Sequence, residues 1–467
     1  MLFSSILFIF RFLPVFMLLY YLVPNRYRNT ILFVGSLIFY GAGEPRFVYV
    51  MLFSIGLNYT FYLAIYRCRN ERMTKAAYPA LLVANFLLLF VFKYWDFTAK
   101  TWNVVSGSSA MPLLHLALPL GISFYTFQVV SLQIDSYRKK RRGEPGKEIS
   151  LLNFATYIMM FPQLVAGPIL KYEEVEKEME QRRCSAENME RGFRFFVFGL
   201  ALKVLLANQI GTLWTTICSA GMDSLSVPVA WMGAFAYSFQ IYFDFWGYSL
   251  MAIGLGEMMG FYFPENFNHP YQAKSMSEFW RRWHITLGRW FREYVYIPMG
   301  GSRCSFPKVI RNIMIVWALT GLWHGASWNF VIWGLTFFVL ISLEKIFYGK
   351  KLEKSKIIGH IYMILLIPIT WVIFAVNNLS DLIAYLRCMF GIPTGTVLTG
   401  MEQFMRYLRQ YGVLTVFCIL FSTAFPMWLF RRYEKKCVMV PVLFAVFAFS
   451  VYEIACGSSN PFLYFRF

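Results

Sequence analysis

The sequence contains few charged residues. Asp, Glu, Lys and Arg make up 15% of its 467 residues, whereas about a quarter is usual in soluble globular proteins. The deficit is spread along the whole chain, because apolar runs of near-spanning length recur from Leu2 to Phe467 with only short polar breaks. We therefore predict an all-α polytopic membrane protein. Because its helices all share one bilayer, residues 1–467 are expected to form a single integral-membrane domain.

Paired cysteines and clustered histidines are also missing. The eight cysteines show no C-x-x-C spacing, and no two histidines lie three or four residues apart. A disulfide framework or a metal site would be recognised by such spacings. The sequence therefore predicts neither a disulfide-stabilised fold nor a bound metal. The five histidines are His115, His269, His284, His324 and His360.

Acidic residues are scarcer than basic ones. The chain has 25 Asp and Glu against 44 Lys and Arg, a formal charge of +19. In a soluble protein this excess would favour nucleic-acid binding, but here the basic residues lie in breaks between apolar runs. The positive-inside rule places such breaks on the cytoplasmic side, where anionic lipids supply the counter-charge. We therefore predict the lipid bilayer, and no nucleic acid, as a partner.

The same breaks predict an orientation. The basic breaks, predicted to be cytoplasmic, are residues 26–28, 67–75, 138–142, 345–356 and 431–436. The charge-poor breaks, predicted to be extracytoplasmic, are residues 221–227, 377–381 and 457–460. Both termini then lie outside the cytoplasm.

Hydropathy predicts about 11–12 transmembrane helices. The predicted spans are residues 2–23, 30–43, 47–66, 78–97, 118–137, 195–219, 228–260, 309–323, 326–346, 357–376, 412–430 and 438–455. Two further apolar stretches, 150–170 and 382–411, are interrupted by Pro, Gly or charge. They are predicted to be re-entrant or interfacial segments.

The segment Ser275–Ser302 is basic and aromatic and too polar to cross the bilayer. Helical periodicity predicts one amphipathic interfacial helix with its apolar and basic residues on opposite arcs. The apolar arc holds Trp280, Trp283, Leu287, Trp290, Phe291 and Tyr294, and the basic arc holds Arg281, Arg282, Arg289 and Arg292. Such a helix either rests among lipid headgroups or also binds an anionic donor, and the periodicity leaves both open.

His324 lies at a Gly-flanked break between two apolar segments. An ionisable residue at membrane depth is costly and is a candidate for function. Imidazole has an unperturbed pKa of about 6.5, which suits a general base, and we expect Trp323 and Trp328 to surround the ring and keep it neutral. A core histidine bound to a backbone carbonyl is the alternative. Gly321 and Gly325 favour close approach of backbone or substrate.

Three carboxylates also lie in apolar surroundings, at Asp135, Asp244 and Glu257. We expect them to hold helices together by hydrogen bonds and not to perform chemistry.

The segment Phe279–Arg303, FWRRWHITLGRWFREYVYIPMGGSR, resembles the signature of membrane-bound O-acyltransferases of the alginate O-acetyltransferase branch. Teichoic acid D-alanyl transferases are similar in the W-H-G element, but IPMGGSR resembles the acetyltransferase branch more closely. The following further segments match that branch, so that the resemblance covers most of residues 119–334: 124–138 (FYTFQVVSLQIDSYR), 161–169 (FPQLVAGPI), 239–247 (FQIYFDFWG), 258–270 (MMGFYFPENFNHP) and 321–334 (GLWHGASWNFVIWG).

The resemblance implies the fold of this family and an acyltransferase site. It implies that His324 is the active-site histidine and His284 a second catalytic histidine, a candidate for stabilising the oxyanion. Where many relatives read F-S-G-Y-S-D, this chain has Trp246 and Leu250 in place of the first serine and the aspartate. The expected substrate-binding residues are Trp280, Arg281, Trp283, Trp323 and Asn329.

The resemblance also implies a reaction. An acyl group, expected to be acetyl, moves from a cytoplasmic thioester donor to a hydroxyl of a cell-surface polysaccharide, in the cytoplasmic membrane of a bacterium. The donor is acetyl-coenzyme A or an acyl-carrier phosphopantetheine, and a cytoplasmic acyl carrier and an extracytoplasmic SGNH-hydrolase-like protein are expected partners. The alternatives are D-alanyl transfer to teichoic acid and a transporter without bond-making chemistry, for which inverted or parallel repeats would be expected.

Overall fold

A computed structural model describes residues 1–144, 146–164, 167–393, 395–433, 436, 438–457 and 463. Five predictions from the sequence lie partly outside these residues: the motif at 161–169, the apolar stretches 150–170 and 382–411, the basic break at 431–436 and the charge-poor break at 457–460. The described residues form helices and connecting segments, with no strand among them. The predicted all-α fold is confirmed.

The chain divides into two compact units. Met1–Phe193 together with Ala252–Pro264 form the first, and Arg194–Met251 together with Glu265–Phe467 form the second. The single domain over residues 1–467 stays a prediction.

The first unit contains nine helices among its described residues. They are α1 (Leu13–Leu22), α2 (Arg28–Gly43), α3 (Val48–Arg67), α4 (Glu71–Leu89), α5 (Trp95–Ser106), α6 (Ile122–Arg141), α7 (Leu151–Met159), α8 (Phe161–Leu164) and α9 (Tyr172–Glu180). Polar side chains at helix starts stabilise several of them, since Asn70 and Ser150 accept hydrogen bonds from the first free amides of α4 and α7.

Buried amides join three helices of the first unit. Asn58 on α3 and Asn85 on α4 exchange side-chain hydrogen bonds of 3.0 and 2.8 Å, and Gln133 on α6 donates to the Asn58 carbonyl at 2.8 Å. Lipid offers no hydrogen-bond partner, so such amides are best satisfied between helices.

The remaining helices lie wholly or partly in the second unit, and α10 and α12 contribute residues to both units. They are α10 (Ala186–Ala201), α11 (Asn208–Ser219), α12 (Val227–Met258), α13 (Met276–Arg282), α14 (Ile285–Phe291), α15 (Phe306–His324), α16 (Trp328–Leu343), α17 (Gly349–Lys354), α18 (Ile358–Ala375), α19 (Leu379–Met389), α20 (Met401–Phe421), α21 (Ala424–Tyr433) and α22 (Met439–Ala455).

Five helices among the described residues are long and apolar enough to cross a membrane, or six if a pair bent by 70° counts as one span. The five are Pro45–Arg67, Glu71–Ser106, Ala186–Ser219, Trp328–Lys354 and Ile358–Ala375, and the bent pair is α20 with α21. Other predicted spans lie in shorter helices such as α22, or in α12, which carries Asp244 and Glu257. The two stretches predicted to be re-entrant or interfacial are broken, at Met160 and between α19 and α20.

Wider π-helical turns occur at five places in the described chain, and three of them carry a buried charged residue. The turns are Phe8–Phe12, Phe90–Tyr94, Leu202–Ala207, Arg292–Tyr296 and Glu344–Tyr348. The buried charges are Lys93, Lys203 and Glu344. Short 3₁₀ turns lie at Asn25–Tyr27, Pro45–Phe47 and Pro270–Gln272.

The structure corrects the prediction of one amphipathic helix over Ser275–Ser302. The segment is two helices, α13 and α14, followed by the π turn Arg292–Tyr296, with a break at Trp283 and His284. The break exists because His284 adopts a left-handed backbone conformation with φ of 44°. A right-handed helix cannot continue through a residue in that conformation.

Candidate active site

His324 is the last residue of α15, and α16 begins four residues later at Trp328. Both helices belong to the second unit, and their backbones meet at two glycines. A Cβ atom on Gly321 would lie 2.4 Å from the carbonyl oxygen of Phe330, and one on Gly334 would lie 2.4 Å from that of Trp317. The expected close approach at Gly321 is therefore made by the protein's own backbone.

Aromatic rings enclose the His324 side chain, which is 4% exposed. The rings of Trp323, Trp333 and Phe374 meet it edge-on, with centroids at 5.0, 4.9 and 5.3 Å. Trp328, which was expected to surround the ring, is 48% exposed. Trp333, one and a half helical turns further along α16, packs against the His324 ring instead. The imidazole is thus shielded from lipid.

His284 lies between α13 and α14 and is also buried. Its left-handed conformation is uncommon for a residue other than glycine and costs about 1 kcal/mol or more. Asn266 stabilises it, because the Asn266 side-chain oxygen accepts hydrogen bonds from the Thr286 amide at 3.3 Å and the Thr286 hydroxyl at 3.0 Å. The Asn266 carbonyl also accepts from the Ile285 amide at 3.0 Å.

The same oxygen of Asn266 lies 3.0 Å from Nδ1 of His284. The Thr286 amide donates to this Asn266 oxygen, so the oxygen is an acceptor. Nδ1 of the neutral His284 ring must therefore carry the proton, and Nε2 of the same ring is left as an acceptor. Burial lowers the pKa of His284 to about 3, which keeps the ring neutral. A neutral ring in this tautomer cannot donate from Nε2, which argues against the expected oxyanion role through that atom.

Trp323 connects the two histidines. Its ring lies 5.0 Å from that of His324 and 5.9 Å from that of His284, centroid to centroid. Phe245 packs edge-on against His284 at 4.7 Å. The structure therefore brings together three of the residues predicted from the sequence, with both histidines in contact with one indole.

Two further predicted tryptophans, one on α13 and one directly after it, lie in the same aromatic core. Trp280 contacts Trp333 at 5.6 Å, and Trp333 in turn contacts His324. Trp283 is fully buried and packs on Trp371 at 4.8 Å. The buried Trp283 ring is not exposed in the way that an interfacial helix would expose it.

Asn329, also predicted to bind substrate, is fully buried and joins α16 to α18. Its side-chain nitrogen donates to the carbonyls of Ile373 and Phe374 at 3.4 and 3.0 Å, and its oxygen accepts from the Ser327 hydroxyl. These contacts position Phe374, which touches His324. Substrate binding by Asn329 stays a prediction.

Arg281 lies on the outside of α13, where it pairs with Glu353 at 3.2 Å. It borders an open cleft of about 580 Å³ within the second unit. The cleft is lined by Gln272, Lys274, Glu278, Arg281, Arg282, Glu353 and His360. Arg281 is therefore separate from the aromatic core that holds the histidines, although Trp280 precedes it directly.

The buried carboxylates hold helices together in two of three cases, as expected. Asp244 on α12 pairs with Lys203 at 2.5 Å, and Glu257 on α12 pairs with Arg191 on α10 at 2.9 Å. Asp135 pairs with Arg138 one turn along its own helix, at 3.6 Å, so this ion pair joins no second helix. No group of three or more His, Cys, Asp or Glu side chains that could hold a metal ion occurs within the described part of the chain.

Comparison with known proteins identifies the family of the chain. The sequence model of the membrane-bound O-acyltransferase family matches residues 74–350. The chain belongs to this family. Its members are O-acyltransferases that use an acyl donor, and the chain is accordingly a multi-pass membrane O-acyltransferase.

The relatives of this acyltransferase differ in the substrate that their names give. The chain is 34% identical to the probable alginate O-acetylase AlgI of Azotobacter vinelandii, over 100% of both chains. It is 35% identical to the peptidoglycan O-acetyltransferase of Helicobacter pylori, over 84% of this chain and 80% of the relative. A teichoic acid D-alanyltransferase of Bacillus subtilis is 30% identical over 57% of this chain and 67% of its own length.

Sequence reasoning missed three residues of this candidate site. Asn266 fixes His284 from 18 residues away, Trp333 and Phe374 enclose His324, and none was singled out. A signal existed for two of them, because Asn266 and Trp333 lie in the matching segments 258–270 and 321–334. Phe374 lies beyond the resemblance, in an apolar helix where periodicity cannot separate it from its neighbours.

Proposed function

We propose that this enzyme transfers an acetyl group from a thioester donor on the cytoplasmic side to a hydroxyl of a cell-surface polysaccharide on the other side of the membrane. The observation that carries the proposal is the enclosure of His324 by aromatic rings, with the second histidine, His284, packed against the same Trp323 ring. An enclosed imidazole suits acyl transfer, because water that reached a thioester there would hydrolyse it.

His324 acts as the general base. Its ring takes the proton of the acceptor hydroxyl as the oxygen attacks the thioester carbonyl carbon. When the tetrahedral intermediate collapses, the carbon–oxygen bond remains, the carbon–sulfur bond breaks, and the imidazolium returns its proton to the leaving thiolate. The balance is one ester and one thiol from one alcohol and one thioester.

His284 is the second catalytic residue of the proposal. Because Nδ1 of His284 donates to Asn266, Nε2 can accept a hydrogen bond. It receives that bond from the hydroxyl of the polysaccharide, or from a water that is held there before transfer. Trp323, which touches both rings, is the substrate-binding residue between them.

The donor enters along the cleft beside α13. Arg281, Lys274 and Arg282 line it, and guanidinium and ammonium groups bind the phosphates of coenzyme A or of a carrier's phosphopantetheine. The carrier would be a cytoplasmic protein. Trp280 connects this side of α13 with Trp333 and the His324 ring.

The acceptor is proposed from the relatives. Those that cover most of the chain act, by their names, on alginate or peptidoglycan, so a polysaccharide hydroxyl is favoured. The D-alanyltransferase, matched over a shorter part, makes D-alanyl transfer to teichoic acid the second candidate. The proposal places the enzyme in the cytoplasmic membrane of a bacterium with both termini outside, beside an SGNH-hydrolase-like protein that completes delivery.

The test uses the full chain in membranes supplied with acetyl-coenzyme A, with ester-linked acetate on the polysaccharide as the readout. His324→Ala is expected to lower transfer about a hundredfold to ten-thousandfold, the range that general bases contribute. His115→Asn is the matched control, because His115 is exposed and asparagine tolerates its left-handed backbone.

Two outcomes contradict the proposal. Full transfer by folded His324→Ala would remove the general base. D-alanine ester without acetate ester, in membranes supplied with both donors, would replace the acetyl proposal with its alternative.

A further inference from the structure

Two arginines of the first unit converge on one tyrosine. Arg28 begins α2, and Arg182 follows α9. Each guanidinium carbon lies 5.5 Å from the ring centroid of Tyr20. Arg28 also lies 5.6 Å from the ring of Tyr21, and Arg182 lies 4.5 Å from that of Phe261. The two cations therefore share an aromatic platform.

The platform is rigid. The hydroxyls of Tyr20 and Tyr21 donate to the carbonyl oxygens of Met259 and Met258, at 2.7 and 2.6 Å. Those phenol groups are thereby committed to the backbone at the end of α12. The two guanidinium groups contact the ring faces of these tyrosines.

Neither arginine has a carboxylate partner among the described residues. Arg182 is 7% exposed; it donates one bond to the side-chain oxygen of Asn29, and its NH1 atom is buried without an acceptor. Nε of Arg28 is likewise buried without an acceptor. Arg28 is half-buried, so part of its side chain is exposed.

A buried cation without a counter-ion is unfavourable, and two neighbouring cations add repulsion. Stacking on an aromatic ring offsets only part of this cost. An anion beside the exposed part of Arg28 would remove the imbalance. Guanidinium groups match the geometry of phosphate oxygens.

Lipid is the favoured source of that phosphate. Helix α1, directly before this site in the chain, exposes Val15, Leu18 and Leu22, with Leu22 70% exposed. These side chains offer an apolar surface to acyl chains beside Arg28. The site also lies in the break 26–28, which the basic bias of the loops places at the cytoplasmic interface.

We infer that Arg28 and Arg182 form a binding site for the phosphate group of an anionic phospholipid. The site is separate from the histidines, and the inference does not depend on the proposed reaction. Arg28 contacts the phosphate directly, and Arg182 supplies the second positive charge from behind it.

The experiment measures the thermal unfolding midpoint of the full chain in detergent with added phosphatidylglycerol, and counts the retained lipids by native mass spectrometry. Diacylglycerol with the same acyl chains is the lipid control, because it lacks the phosphate. We expect phosphatidylglycerol alone to raise the midpoint by several degrees. In Arg28→Gln and Arg182→Gln its affinity falls about tenfold or more, as expected when a charge-assisted hydrogen bond is lost.

Arg26→Gln is the matched variant, since Arg26 is exposed, lies two residues from Arg28 and stacks on Tyr27. It should retain the full response. An equal response in all three variants, or an equal effect of diacylglycerol, would overturn the phosphate site. A midpoint raised as strongly by inorganic phosphate as by phosphatidylglycerol would overturn the lipid as its source. Should Arg182→Gln fail to fold, Arg28→Gln decides the result.

Discussion

The two histidines of the site are held in opposite ways. His324 ends α15 and is surrounded by the rings of Trp323, Trp333 and Phe374. His284 interrupts the chain between α13 and α14, and a hydrogen-bond network centred on Asn266 fixes it. Shape complementarity determines where the first ring lies, whereas hydrogen bonds determine both the position and the tautomer of the second. The surroundings of His324 should therefore be sensitive to added side-chain volume, and those of His284 to charge and pH.

The largest expected effect follows from added volume near His324. Gly321→Ala would place a methyl group 2.4 Å from the carbonyl oxygen of Phe330. Because both sides of this contact are backbone, α15 and α16 must move apart, and we expect a loss of about 3 kcal/mol or more of stability. The thermal unfolding midpoint and the transfer rate measure it.

Gly288→Ala is the matched change near His284. A Cβ atom at Gly288 would lie 3.7 Å from the carbonyl oxygen of Trp280, an ordinary contact. Since alanine favours the helix, the variant should be stabilised by about 0.4–1 kcal/mol. Equal midpoints for the two variants would show that backbone contact does not distinguish the two regions.

The second effect is the pH dependence that burial of His284 produces. Its pKa is lowered to about 3 in the folded protein, against about 6.5 in an unfolded chain. Between these values the unfolded chain binds a proton that the folded protein does not, so stability falls as the pH drops. From pH 7 to pH 5 this contributes a loss of about 2 kcal/mol. His284→Asn removes that loss, and unfolding midpoints at the two pH values measure the difference.

His115→Asn serves as its control. His115 has a φ of 48°, close to the 44° of His284, but is exposed. Asparagine tolerates the left-handed backbone at both positions. Comparing His284→Asn with His115→Asn therefore distinguishes the effect of burial from that of backbone strain. If both variants retained the same pH dependence as the wild type, the burial of His284 would not be its source.

The sequence predicted the His324 side of this comparison better than the His284 side. Hydropathy and the glycines located the break between α15 and α16, because two apolar helices and their ends are local features. The break at His284 depends on Asn266, a contact across 18 residues that helical periodicity cannot detect. Periodicity therefore extended one helix through residues that the structure divides.

Hydropathy also fails to separate lipid from protein interior. Trp283 was assigned to an interfacial surface, yet it packs on Trp371 inside the second unit. Lys203 and Asp244 lower the hydropathy of their helices, but they neutralise each other at 2.5 Å. Pairing of this kind depends on the fold, which is why the number and limits of the spans were harder to predict than their presence.

The smallest effect concerns how α13, the helix before His284, is anchored. Glu344 accepts hydrogen bonds from the amides of Met276 and Ser277, at 2.5 and 3.0 Å, and from the Ser277 hydroxyl at 2.8 Å. Glu344→Gln replaces one acceptor oxygen with a donor and removes the negative charge at the start of α13. We expect a loss of about 1 kcal/mol, measured as a lower unfolding midpoint.

Glu353→Gln is the comparison for that change, because Glu353 is an exposed carboxylate whose ion pair with Arg281 spans 3.2 Å. Exposed pairs contribute about 0–1 kcal/mol, so its midpoint should move less. If the hydrogen bonds of Glu344 help to position His284 and Asn266 by way of α13, Glu344→Gln should also lower acyl transfer. Glu353→Gln should leave the anchoring of α13 intact. If Glu344→Gln lowered the unfolding midpoint but left transfer unchanged, only the contacts between His284 and Asn266 would position the site. The anchoring of α13 would then be independent of it.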